Sequence, residues 1–215
     1  MKEPAQPATR RQRARQATVA AILDAARAQM RAEGAAALNM NDLARQVGVR
    51  PPSLYEYFPG GKHAIYDALF RLGYEQYGAL MQAIDAIDDP WAAQQAAVET
   101  HFTFAVTNPE LYQLCFERPV PGFVPSEGSL ALSFGVLDQG RAQMMRVLAR
   151  LGNPTGMTDE QFFHFFIALT HGMAALHLAN EPGLPAGQGR FGSLIPIVVA
   201  TLRGLWPAEP APDHS

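Results

Sequence analysis

The stretch from Asn39 to Lys62, NMNDLARQVGVRPPSLYEYFPGGK, constrains the fold of this chain more than any other. It predicts two short helices joined by a tight turn. The first, Met40 to Gln46, follows Asn39, whose side chain can cap the orphan amides, with Asp42 three residues on as in a capping box. Leu43, Ala44 and Val47 give it an apolar face, and Ala44 is small enough to admit a close helix. Gly48 stands where a helix end needs a left-handed residue, and Val49 turns inward. Pro51 falls at the first position of the next helix, where a missing N–H costs nothing. That second helix, Pro51 to Tyr57, points Leu54 and Phe58 to the core and leaves Ser53, Tyr55 and Tyr57 outside. Surface tyrosines on a short helix suit contacts to phosphates and a DNA groove.

Charge is distributed to match. Residues 1–66 carry 10 Lys/Arg against 5 Asp/Glu, whereas residues 67–215 carry 7 against 15. A basic amino-terminal third on an acidic remainder is the asymmetry of a nucleic-acid reader with a separate sensing or assembly body. The single cysteine, Cys115, excludes an intrachain disulfide framework and a cysteine-rich zinc site. No apolar run reaches the ~18 residues that a membrane span needs, and the N-terminus lacks a signal-peptide pattern. The expected location is the bacterial cytoplasm, in association with the nucleoid, with no membrane partner.

The motifs from ILDAARAQMRAEG (Ile22 to Gly34) through NDLARQVGV, SLYEYF and Lys62 into AIYDALF resemble the DNA-binding domain of the TetR family of bacterial transcription regulators. Two departures stand out. Arg50-Pro51-Pro52 replaces the usual small polar and glycine residues at the start of the recognition helix, and Gly60-Gly61 adds a residue before Lys62. Both lie at the DNA face, so base contacts do not carry over from relatives. The resemblance implies that Tyr55 and Tyr57 contact phosphates or bases and that Lys62 contacts a phosphate. Asn39 and Asn41 face the backbone from the start of helix 2, and Arg50, Pro52 and Ser53 are the candidate base-edge, methyl or phosphate contacts. Tyr55 has a second reading, as partial core against helix 1.

The remainder reads as helical, with no period-2 strand. The expected class is all-α: a three-helix helix-turn-helix domain over residues 15–61, then a helical ligand-binding and dimerisation domain over 62–206, about nine helices in total. Residues 1–14 are expected to be a disordered basic arm and 207–215 a tail. Arg10, Arg11, Arg13 and Arg15 either follow the phosphate backbone or enter a minor groove, or belong to a solvated tail. Helix 1 is expected from Ala17 to Glu33, with Val19, Ile22, Leu23, Ala26 and Met30 as its core stripe. Helix 4 is expected over 62–87 as the connector, helix 5 over 90–107 and helix 6 over 109–117. Helices 7, 8 and 9 are expected over 126–151, 159–180 and 191–205.

Helix 8 is apolar on more than one side, and helix 9 nearly so. A second copy covering both would make a four-helix bundle across a two-fold axis, as TetR-like proteins generally do. Phe162, Phe165, Leu169, Met173, Leu176, Leu194, Val198 and Leu202 are the candidate interface. THGMAALHLA (Thr170 to Ala179) also resembles the His-Gly signature of one C-terminal class in the family. Two-fold symmetry implies a pseudo-palindromic operator with half-sites ~34–36 Å apart.

For the effector, Tyr77, Met81, His101, Phe102, Phe116, Leu137, Met144, Phe166 and His171 are candidate lining residues of an apolar pocket between helices. Arg141 falls on the apolar stripe Leu130–Phe134–Leu137–Met144–Leu148 and needs a partner there. One reading pairs it with Asp138 or another carboxylate, or lets it snorkel to the surface; the other makes it the anchor for the polar end of an apolar effector. His164 and His171 are ~10.5 Å apart along a helix, too far to share an ion, and no metal or cofactor is expected. Nucleophile elbow, P-loop and Rossmann glycine patterns are absent, so no enzyme is expected. The functional expectation is a homodimeric repressor released from double-stranded DNA by a small, largely apolar effector. Activation or co-repression is the alternative within that class. A TetR-fold protein-interaction module on DNA is the alternative outside it.

Overall fold

The computed structural model describes residues 9–206; residues 1–8 of the expected arm and the tail 207–215 lie outside them. Every regular element among the described residues is helical, as the pattern predicts: α1 (Arg10–Glu33), α2 (Met40–Gln46), α3 (Pro51–Tyr57), α4 (Lys62–Gln82), α5 (Pro90–Thr107), α6 (Pro109–Tyr112), α7 (Glu127–Leu151), α8 (Asp159–Asn180) and α9 (Ile195–Arg203). Single turns at Ala83–Ala86, Gln113–Glu117 and Gly189–Gly192 join them.

Boundaries moved where local chemistry outweighed composition. α1 starts at Arg10, not Ala17, because Thr9 and Gln12 form a reciprocal capping box that nucleates the helix in an Arg-rich segment expected to be disordered. α4 stops at Gln82 and tightens into a 3-10 turn over Ala83–Ala86. α9 starts only at Ile195, since Pro196 brings no N–H and is tolerated in a first turn but not inside a helix.

Two units share the chain. The first runs to Gly73 and takes in Glu110–Ser129; the second comprises Tyr74–Pro109 and the chain from Leu130 onward. The division therefore falls inside α4, where the sequence had suggested residue 61.

In the first unit, Ile22, Ala26 and Met30 of α1 meet Leu38, Leu43, Ala44, Leu54, Phe58, Ile65 and Leu69 in one buried core. Asn39 caps α2, accepting from the amides of Asn41 at 3.0 Å and Asp42 at 3.4 Å. Asp42 does not return the favour to the cap; it pairs with Arg45 at 2.7 Å. The α2 end is a Schellman turn: Val49 N–H reaches Ala44 O, Gly48 N–H reaches Arg45 O, and Gly48 takes φ +70°. Gly73 matters for a different reason. A Cβ there would lie 2.5 Å from Cys115 Sγ, so only glycine lets α4 approach the 111–115 segment this closely.

That segment is tied to the head by charge as well. The Glu110 carboxylate, with a fully buried side chain, accepts from Arg27 Nε at 2.8 Å and from Arg31 Nε and Nη2, each at 2.9 Å. Phe123 packs against Tyr66 with ring centroids 5.6 Å apart. Ser126 donates from N and Oγ to Asp67 at 2.7 and 2.9 Å.

In the second unit α5 packs against both α8 and α9. Val98, Phe102 and Phe104 of α5, Met144 and Leu148 of α7, Phe162, Phe166 and Met173 of α8, and Ile195, Val199 and Leu202 of α9 are all buried. Trp206 closes the unit, donating from Nε1 to Leu151 O and Gly152 O and stacking edge-on against Trp91 and Phe162. Arg146 pairs with Asp85, and Arg150 donates to Asp88 O.

Breaking a buried ion pair by removing one member leaves the other group uncompensated. Glu110→Ala should lower the unfolding free energy by about 3 kcal/mol in urea melts, and Glu110→Gln by less. A loss under ~1 kcal/mol would mean that the carboxylate does not hold this segment.

Candidate nucleic-acid interface and effector site

α3 presents one face to the core and one outward. Leu54 is fully buried, whereas Arg50, Pro51, Pro52, Tyr55 and Glu56 are exposed and Ser53 and Tyr57 half-buried. Pro51 and Pro52 open the helix without a side-chain cap, since neither brings an amide that needs one. Tyr55 is 50% exposed, its ring edge beside Gly61, which excludes the reading of it as core. Lys62 and Asn41 are exposed; Asn39 is exposed too, but its side-chain oxygen is committed to the α2 cap. Tyr57 is placed differently from Tyr55. The Arg15 guanidinium lies 5.1 Å above its ring, and Arg15 Nη2 donates to Glu56 O at 3.2 Å.

The second unit gathers Tyr77, His101 and His171. The Tyr77 hydroxyl and His101 Nδ1 share a 3.1 Å hydrogen bond, and the two imidazoles meet edge-on with centroids 4.3 Å apart. Phe104 closes on Tyr77 at 5.3 Å, a contact that its place on an apolar helix did not single out. Burial, helped by the neighbouring His171, holds His101 well below the ordinary imidazole range; burial lowers His171 to about 4 and raises the Tyr77 hydroxyl. Both histidines are therefore neutral near pH 7 and suited to hydrogen bonding rather than to charge pairing.

Other candidate lining residues are scattered. Phe102, Met144 and Phe166 are buried core, with Phe102 edge-on to His177 at 5.0 Å, and Met81 packs onto the Ile84–Ala93–Ala97 cluster. Phe116 belongs to the first unit, against Tyr112. Two need correction. Leu137 is 47% exposed, and Arg141 is exposed and bonded to Glu160 at 2.6 Å. The stripe is split: Met144 and Leu148 are buried with Ser133, Gln143 and Val147, whereas Phe134, Leu137 and Arg141 stay exposed.

The helices expected to pair with a second copy also divide by face. Phe162, Met173 and Leu202 are buried within this chain, which removes them from an interface. Phe165, Leu176 and Leu194 are exposed, and Leu169 and Val198 half-buried. Ile197 on α9, 55% exposed, and Leu205 just after that helix are open as well. Gly172 on α8 has open space where a side chain would stand. Among the described residues α8 is the one helix long and apolar enough to cross a membrane, but its Phe162–Phe166–Met173 face is packed inside the unit. No group of three or more His, Cys, Asp or Glu placed to hold a metal ion occurs among the described residues.

The family model for bacterial regulatory proteins of the tetR family matches residues 22–69, the helices just described. That match makes residues 22–69 a tetR-family DNA-binding head. No curated protein matches it. Solved structures share the fold across nearly the whole chain. A protein of unknown function from Rhodococcus sp. RHA1 is 19% identical, with 96% of this chain and 100% of that one covered and a TM-score of 0.71. The transcriptional regulator FadR from Bacillus subtilis, in complex with stearoyl-CoA, is 16% identical, with 85% and 96% covered and a TM-score of 0.64. AibR, in complex with isovaleryl coenzyme A and operator DNA, is 13% identical, with 86% and 97% covered and a TM-score of 0.64. At these identities the likeness is one of fold.

The neutral histidine pair makes stability depend on acid. In the unfolded chain each histidine binds a proton near pH 6.5; folded His171 does so only at about 4 and His101 lower still. Below pH 6.5 the unfolded state therefore holds more protons, so stability falls as pH drops from 6.5 towards 4. His171→Gln should flatten that part of the stability profile relative to the parent chain. An unchanged slope in paired urea melts would show that His171 does not carry it.

Proposed function

We propose that this tetR-family protein is a homodimeric repressor that leaves a pseudo-palindromic operator when an acyl thioester or similarly apolar effector binds its second unit. The observation that carries the reading is the outward face of α3, where Arg50, Pro52, Ser53 and Tyr55 stand over a buried Leu54 with Lys62 beside them. A seven-residue helix held from behind and polar or aromatic in front is the form that enters a major groove. Arg50 and Lys62 grip phosphate; Ser53 and Pro52 meet base edges or a thymine methyl.

The apolar surface of α8 and α9 supports the dimer. Phe165, Leu176, Leu194 and Ile197 all lie exposed on one chain, and large apolar side chains left open in this number suit an interaction site. The Tyr77–His101–His171 cluster supports the effector reading: it offers neutral hydrogen-bonding groups within an aromatic setting, which suits a carbonyl better than an ion. That FadR and AibR are described with acyl-CoA ligands supports the chemical class. The effector acts on the head through α4, whose residues the two units share. Differential affinity of ~1–3 kcal/mol between the two states is enough.

Selection from random duplexes with purified protein should enrich a palindrome with fixed half-site spacing. Absence of any enriched motif at moderate salt would overturn the operator reading. Lys62→Ala should weaken all duplexes alike and reduce the slope of log K against log salt by about 0.9; loss confined to one sequence would instead assign Lys62 to base readout. Ile197→Glu should separate the protomers in sedimentation without unfolding them. Acyl-CoA thioesters of graded chain length should raise the melting temperature in proportion to the logarithm of ligand concentration above Kd and release the duplex. Release without any melting shift would remove the effector site from this protein.

A further inference from the structure

The arginines at the start of α1 read from sequence as one group, either contacts to the DNA backbone or minor groove or part of a solvated tail. The structure separates Arg15 from the rest. It lies seven and eleven residues before Ile22 and Ala26, so it extends their buried stripe beyond the core and meets the end of α3. Its guanidinium is already occupied: Nη2 donates to Glu56 O at 3.2 Å, and Cζ lies 5.1 Å over the Tyr57 ring.

We propose that Arg15 is a positioning residue for sequence readout, a clamp that sets the roll of the recognition helix rather than a contact to DNA. The proposal rests on the reading of α3 as the helix that enters the groove. α3 is short, and it has one fully buried side chain, Leu54, with Phe58 packed just beyond its end. Its last carbonyls are orphans; Leu54 O receives Phe58 N, and Glu56 O receives Arg15. A cation at a helix C-terminus is favourable in its own right, and the stacked Tyr57 ring holds the guanidinium plane in place. Arg15 thus grips α3 at the opposite end from Arg50, Pro52 and Ser53.

The geometry makes roll the sensitive coordinate. Side-chain tips stand about 5–6 Å from a helix axis, so a roll of ~20° displaces them by about 2 Å. A base-edge hydrogen bond does not survive that shift. A phosphate contact through a long, flexible Lys or Arg does, because it attracts as a charge and carries no sequence information. Loss of the clamp should therefore cost discrimination before it costs general affinity.

The test compares Arg15→Ala and Arg15→Lys with the parent chain, using the selected duplex and one with a scrambled half-site, over a range of salt. Arg15→Ala should reduce the affinity ratio between the two duplexes about three- to tenfold, with the salt slope within about 0.3 of the parent. Arg15→Lys, which keeps a donor and a cation over Tyr57, should recover much of the ratio, and Tyr57→Leu should lose part of it. A slope lower by about 0.9 with the ratio intact would make Arg15 a phosphate contact and overturn the proposal. No change in ratio or slope would overturn it equally. Failure of the parent chain to select any duplex would instead defeat the reading of α3 itself.

Discussion

A carboxylate with no exposed surface must be answered by positive charge, and in the first unit that requirement joins parts of the chain that sequence keeps some 80 positions apart. Glu110 is held by Arg27 and Arg31 from successive turns of α1. Both arginines keep access to solvent while the carboxylate has none, so the desolvation cost falls on one group and its compensation comes from two. Around this cluster the segment to Ser129 settles onto α4 through Phe123 and through the Ser126–Asp67 bonds, with Gly73 making room for Cys115. The DNA-binding head is consequently larger than three helices, and it contains a stretch that arrives after α5.

The second unit is organised by unequal faces. α8 and α9 each bury one stripe against α5 and leave another apolar stripe open, while α7 turns its Phe134–Leu137 face outward and closes Arg141 onto Glu160. Within the buried part, Tyr77, His101 and His171 are polar groups kept neutral by burial in an aromatic setting. A polar cluster of this kind is costly to hold in a core that serves packing alone, and its bonds to one another are what make it tolerable.

Much of this was legible in the sequence, for local reasons. Asn39, Gly48 and Pro51 each act within a turn of their own position, so the bounds of α2 and α3 follow from them. Helical spacing likewise placed α5 and α8 to the residue and α7 to within one. Arg141 shows where such reasoning stops. Its spacing matched the apolar residues Leu137 and Met144, which a seven-residue separation puts on nearly the same side of α7, yet one is exposed and the other buried. Spacing tells which side of a helix a residue occupies, and only the neighbouring elements decide which part of that side is covered. The same ambiguity separated Phe162 and Met173, inside the chain, from Phe165 and Leu176, outside it.

What the sequence determined by itself is therefore the set of elements, the helix-turn-helix with its outward Tyr55, and the basic head on an acidic body. These follow from caps, turn residues, periodicity and charge, all of which act at short range or add up along the chain. Only the tertiary structure decided that Arg15 meets Glu56 O and the Tyr57 ring, that Glu110 belongs to Arg27 and Arg31, and that His101, His171 and Tyr77 meet. Each of these is a contact between residues far apart in sequence, whose partner is set by how helices pack and leaves no mark in the spacing of either residue alone.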